Sequence, residues 1–222
     1  MTQPQERNIA VAFRNIHNII TRGLKVSIDG IHDASRHGFR DGASREGLFK
    51  YIQALTSVLN AHHLTEDELA FPYFRVLLPQ ALFDRLAEDH GRIVEVMDGI
   101  RRAAAQCEAE NGLPSVLADL EAALTTLGQL WHPHIRVETD EFISKADALV
   151  SGEEQRRLTK QFSEHGQKLS VPPYLTVPFL LYNLPAEDRM VFTQDMPAEL
   201  LEHLVPVVWR AQWEPMAPYL LT

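Results

Sequence analysis

The sequence predicts an all-α protein: an antiparallel four-helix bundle over residues 1–150, followed by a helical, proline-rich extension over residues 151–222. Three observations lead there. Apolar residues recur at alternating steps of three and four through four long segments, the spacing of helix faces buried against one another. Glycine and proline punctuate the chain at wide intervals, and the stretches between them carry helical rather than strand periodicity. From about Ser151 the character changes, with Pro172, Pro173 and Pro178 set among Tyr174, Phe179 and Tyr182.

The first helix is expected from about Gln5 to Gly30, with Ala10, Phe13, His17, Ile20 and Leu24 as its inward stripe. The second runs from about Arg45 to Leu77 and turns Leu48, Ile52, Leu55, Leu59, His62, Glu66, Leu69 and Tyr73 inward. The third, about Leu82 to Glu108, presents Phe83, Leu86, His90, Ile93, Met97 and Ile100. After Asn111-Gly112-Leu113-Pro114, Ser115 is the expected cap of the fourth helix. That helix reaches about Val150 and presents Leu117, Leu120, Leu124, Leu127, Trp131, His134, Glu138 and Glu141. A short polar helix from Gly152 to about Lys168 opens the extension. Its amphipathic end, about Ala198 to Tyr219, is expected to pack on the bundle or on a second subunit, which would make a homodimer.

The net charge of −9 and the lack of a Lys/Arg cluster exclude an electrostatic footprint for nucleic acid or an anionic membrane. No apolar run approaches the roughly 20 residues a membrane span needs. The first residues lack a basic, apolar leader, and the single cysteine, Cys107, permits no internal disulfide. A cytoplasmic location is the expectation.

Each stripe is apolar except at one kind of place: a lone histidine, or a histidine with a glutamate four residues later. Four buried imidazoles and two buried carboxylates at one level would be a liability unless divalent metal compensated them. Residues four apart share a helix face, so His62 with Glu66, and His134 with Glu138, each project a nitrogen and an oxygen donor together. The pattern repeats. His17 precedes His62 by 45 residues and His90 precedes His134 by 44, as in two like hairpins about a pseudo-twofold axis. Imidazole with carboxylate suits iron, manganese or zinc, and ligand type alone does not choose among them. A ferritin-like centre is disfavoured because no histidine has a glutamate three positions before it. The zinc-protease motif His-Glu-x-x-His is absent as well.

His62-His63-Leu64-Thr65-Glu66-Asp67-Glu68-Leu69-Ala70-Phe71-Pro72 resembles the His-His-x-x-Glu-Glu-x-x-Leu-Phe-Pro signature of hemerythrin-like (HHE cation-binding) domains. His134-Ile135-Arg136-Val137-Glu138 is similar to their later His-x-x-x-Glu motif, and His17 and His90 match their lone ligands. The resemblance covers about residues 5 to 150. It implies a non-haem centre of two iron ions, with Glu66 and Glu138 bridging and two histidines on each ion. One departure bears on function: oxygen carriers of this type place a further histidine four residues after the third-helix ligand, where this chain has Val94. They also carry an aspartate five residues after the fourth-helix histidine, whereas Glu138 stands one residue earlier. Fewer protein donors would leave more positions open to water, dioxygen or peroxide.

The expectation is therefore a di-iron protein that binds or reacts with dioxygen, peroxide or a related small oxidant. Whether it turns over as a peroxidase- or catalase-like oxidoreductase is left open. The alternative is an iron- or oxygen-responsive sensor whose extension reports the state of the centre; a structural zinc or metal-free bundle is the fallback. His63 is read as an outer group paired with Asp67, or, with Tyr73, as a residue that could close the donor gap. His32 is the competitor to His17. His132 points away from His134, while His37, His165 and His203 read as surface residues. Cys107 reads as a small core residue and Trp131 as a wall of the site.

Overall fold

The structure, a computed structural model, describes residues 8–109, 114–194 and 196–221. Helix α1 spans Ile9–His37. Its cap is Asn8, whose side chain accepts the Val11 N–H at 2.8 Å; the expected start at Gln5 lies outside the described residues. The helix passes Gly30 by two turns because Gly30 serves a close approach rather than a stop. A Cβ there would stand 2.8 Å from Leu48 Cδ1. The true end is Gly38, at φ 75°, a conformation that favours glycine.

Helix α2 spans Gly42–Thr65, starting three residues before the expected Arg45 because Asp41 caps it and accepts the Ser44 N–H at 2.7 Å. It runs on without a break through a π-helical segment, Glu66–Ala70, into a last α-turn, Phe71–Phe74. Helix α3 is Gln80–Ala109. Helix α4 is Pro114–Val137, followed by a second π-segment, Glu138–Ile143, and Ser144–Leu149. Ser115 is thus the second residue of α4 and not its cap; Pro114 takes the first helical position, where a missing N–H goes unmissed.

The two π-segments correct the stripes. A π-turn adds one residue, so every residue after it is re-phased by one position. Beyond Glu66 the buried positions are Ala70, Phe71 and Phe74, while Leu69 and Tyr73 lie at the half-buried edge. Tyr73 donates its hydroxyl to Glu154 at 2.9 Å, away from the bundle axis. Beyond Glu138 the buried positions are Phe142, Ile143 and Ala146, and Glu141 is exposed. Pro72 gives a reason for the first segment: a proline ring crowds the carbonyl four residues back, and a wider turn relieves it. Ala10 is likewise half-buried, with Ile9, Val11 and Phe13 taking the inward places.

The side chains form two apolar clusters with a polar layer between them. The larger cluster includes Ile20, Leu24, Leu55, Leu59, Ile93, Met97, Leu127 and Trp131. The smaller is rich in phenylalanine: Phe13, Phe71, Phe74, Phe83 and Phe142.

The extension folds as α5 (Gly152–Leu169), α6 (Pro173–Tyr182) and α7 (Ala186–Phe192). A π-helical stretch Leu200–Val208, the short α8 (Arg210–Trp213) and a 3₁₀ turn Glu214–Tyr219 complete it. It lies on the α1–α2 hairpin, and Leu175, Phe179, Val205 and Trp213 belong to the larger bundle cluster. Gly47 marks the closest approach, since a Cβ there would stand 1.9 Å from the carbonyl oxygen of Pro215. Arg22 donates to Tyr51, to Asn183 and to the carbonyl of Tyr219, tying α1 to α2, to the end of α6 and to the final 3₁₀ turn. Among the described residues no helix is long and apolar enough to cross a membrane.

Candidate metal centre

His17 lies in the first third of α1 and His90 in the first half of α3. His62 and His134 lie in the last turn of α2 and of α4 respectively. Helices running alternately up and down place these four side chains at one level, between the two apolar clusters. Glu66 and Glu138 follow one turn after His62 and His134, each as the first residue of its π-segment. All six side chains are buried, and Glu138 and His134 are fully enclosed.

A seventh residue joins them. His63, read from the sequence as an outer group, is 2% exposed. Its ring stacks on His90 with centroids 4.0 Å apart and planes 13° from parallel. Asp67, its expected partner, instead accepts from His90 Nδ1 at 2.9 Å. Two groups of donors follow, each with ligand atoms within 4.8 Å of one another: His63, Glu66, His90 and His134; and His17, His62, Glu66 and Glu138. Donors about 2.0–2.2 Å from an ion sit up to roughly 4.4 Å apart across it, so each group matches one ion. Glu66 belongs to both. Glu138 also reaches across, with Oε2 3.1 Å from His17 Nε2 and Oε1 3.3 Å from His134 Nε2.

The chemistry of the donor set supports metal. Eleven buried nitrogen and oxygen atoms of these seven residues have no hydrogen-bond partner: both carboxylate oxygens of each glutamate, and ring nitrogens of all five histidines. Each unmet buried polar atom costs about 1–3 kcal/mol, and a charged one more. A cluster that expensive, confined to one layer of an otherwise apolar core, is suited to cations that accept one lone pair from each imidazole and those of the carboxylate oxygens. The residues fit the group. Asp67 completes the pattern around it: by accepting the Nδ1 proton of His90 it fixes the tautomer and leaves Nε2 for the ion.

Protonation in the metal-free protein follows from the same burial. It pushes His62 and His63 well below the usual histidine range, and the neighbouring histidines add to the effect. Burial, then the charge of Glu138, drives Glu66 well above the ordinary carboxylic range. Burial also opposes the charge of Glu138, but His134, His17 and His90 outweigh it and hold its carboxyl low. For His90 burial is overcome by Asp67, Glu138 and Glu66, which raise it to about 11.

The walls are aromatic. Trp131 stands 5.7 Å from the His17 ring and 6.0 Å from that of His62, its indole N–H turned out to Thr21 at 2.9 Å. Phe71 also stacks on His90, with ring centroids 5.4 Å apart. Val94, the position of the expected departure, is 37% exposed on the outside of α3. His63, from a different helix, stands among the candidate donors. His32 pairs with Glu121 on the surface, His165 with Glu68, and His37 with Asp33. His132 and His203 are exposed, and Cys107 is buried.

Compared with known proteins, residues 8–146 match the family model described as the hemerythrin HHE cation binding domain. No curated protein matches the chain, and no solved structure does.

Proposed function

Taking as premise that the chain belongs to the hemerythrin HHE cation-binding family, we propose that it is a non-haem di-iron protein that binds or reacts with dioxygen, peroxide or a related small oxidant. The observation that carries this reading is the pair of overlapping donor groups sharing Glu66, built only from imidazole and carboxylate. That donor chemistry suits iron, with manganese or zinc as competitors, and excludes the thiolate-rich sites of structural zinc. Each group offers four residues, which leaves positions on a six-coordinate ion for a solvent bridge and an external ligand.

Bound iron would supply the electron transfer. The chain's own residues do the rest. Glu66, common to both donor groups, would hold the ions as one unit, Asp67 orients His90, and Trp131 with the phenylalanine cluster keeps bulk water from the layer. His63 stands beside the six expected donors, as one of the two residues that could close the donor gap. An open position now rests on the four-residue groups rather than on Val94.

Metal content by plasma mass spectrometry is the first test, on protein expressed with iron available. About two irons per chain, with reduced protein changing its visible spectrum on exposure to oxygen or peroxide, is the expected result. A single zinc, or loaded protein inert to both oxidants, overturns the reading.

A second reading is favoured by one observation. The extension packs on α2, the helix that carries His62 and His63 and leads into Glu66, so metal-dependent changes there would reach it. A sensor of this kind should show different protease cleavage of residues 151–222 with and without metal; identical patterns remove it.

A further inference from the structure

Trp131 closes the metal layer on the side of the larger apolar cluster. It is fully enclosed. Its ring stands 5.7 Å from that of His17, 6.0 Å from His62, 6.2 Å from His63 and 6.1 Å from His134. His17 and His62 belong to one donor group, His63 and His134 to the other. An electron passing between the indole and either ion would therefore cross one imidazole, with no other side chain between.

On the side of the smaller cluster the rings set against the ligands are Phe13 and Phe71. A phenyl ring fills space and resists oxidation, whereas an indole gives up an electron far more readily. Filling alone does not call for tryptophan, because a buried indole brings an N–H that has to be paired. Here the N–H donates to Thr21 Oγ1 at 2.9 Å. Thr21 lies four residues after His17 on α1 and is half-buried, so the bond leads from the enclosed ring toward the surface. An indole that has lost an electron becomes a strong acid at that same N–H, and the threonine hydroxyl stands where the proton leaves.

We propose that Trp131 is a one-electron donor to the metal pair. The proposal rests on reading the layer as a di-iron centre that reacts with peroxide. Hydrogen peroxide takes up two electrons and two protons in becoming two waters. When one ion of the pair is ferrous and the other ferric, the iron can give only one electron, and one-electron cleavage of the O–O bond would release a hydroxyl radical. Trp131 supplies the second electron and, through Thr21, one proton; solvent supplies the other proton. The ferrous ion ends ferric, two waters form, and the oxidising equivalent remains on Trp131 as a neutral indolyl radical.

The test uses the full iron-loaded chain, reduced by one electron per iron pair, mixed with hydrogen peroxide and frozen. Electron paramagnetic resonance and the visible spectrum are read on the same samples. An organic radical is expected, its splittings narrowed when the chain carries ring-deuterated tryptophan, and lost in Trp131→Phe and in zinc-loaded protein. Thr21→Val should lower the radical yield and Thr21→Ser should restore it, a cooperative thermal melt confirming the fold of each variant. Peptide mass spectrometry after excess peroxide should find added oxygen on Trp131 rather than on Trp209 or Trp213. A radical unchanged in Trp131→Phe, a yield indifferent to both Thr21 variants, or oxidation of the other tryptophans with Trp131 spared overturns the proposal. Iron oxidised by peroxide without an indole radical removes this inference alone. Iron whose spectrum peroxide leaves unchanged removes the oxidant reading, and this inference with it.

Discussion

Replacing His63 by leucine should change stability in opposite directions with and without metal. In the metal-free protein both ring nitrogens of His63 are buried and unpartnered. Two such atoms cost about 2–6 kcal/mol together. Leucine removes that cost and gives up a stacked ring contact with His90 worth about 1 kcal/mol. A net gain near 2 kcal/mol is expected, which for a chain of 222 residues raises Tm by about 4–8 °C. In the loaded protein the same substitution removes one of the four residues of the first ion group and none of the second. A 100-fold loss of affinity there would lower metal-linked stabilisation by about 2.7 kcal/mol. The assay is paired thermal melting, in chelator and in excess metal, with metal content measured on the same samples. His63→Leu should melt higher than the unaltered protein in chelator, melt lower in metal, and retain about one ion firmly. A variant that melts lower in chelator and keeps two ions would refute both the burial cost and the donor assignment.

Three further outcomes are expected. Asp67→Asn weakens the hold on His90 and should cut metal affinity about 10- to 100-fold without abolishing binding, measured by competition with a chelator. Gly47→Ala drives a Cβ into the Pro215 carbonyl. It should destabilise the chain by about 2 kcal/mol and speed protease cleavage within residues 214–221, seen by limited proteolysis. Metal loading at pH 7 should release protons. His90, raised to about 11, is charged in the metal-free protein, and Glu66 is biased toward its neutral form. Both must lose a proton to bind, so affinity rises with pH through neutrality. Calorimetry in two buffers of different ionisation enthalpy counts those protons, and zero release contradicts the assignment.

Much of this architecture is readable from periodicity alone. Four stripes, a histidine in each, and near-equal intervals of 45 and 44 residues place six side chains at one level before any coordinates exist. What periodicity hides is equally specific. His63 sits about 100° around α2 from His62, which on a single narrow stripe puts it outside; here α2 is buried widely enough, against α1 and α3 and under the extension, to enclose both rings. The His-His pair itself was the available signal. Leu69, Tyr73 and Glu141 were misphased because a strict α-helical count cannot see an added residue: Leu69 and Glu141 lie within a π-segment and Tyr73 follows one. Gly30 reads as a stop when taken alone, and only the proximity of Leu48 reveals it as a packing residue. The placement of the extension depends on distant pairings such as Gly47 with Pro215 and Arg22 with Asn183, for which the sequence carries no local pattern.

The twin π-segments also mark two places where the chain can change length by one residue and keep both halves of the helix in phase. Upstream of each, the helix is phased to the donors; downstream, it is phased to the phenylalanine cluster. Loss of one residue within 67–70 or within 139–143 could return either helix to ordinary α geometry with every donor still in place. It would leave Phe71 and Phe74, or Phe142, facing the cluster, because the residue removed is the one the π-turn added. A homologue shorter by one residue at these points would therefore be expected to carry its downstream aromatic residues one position earlier.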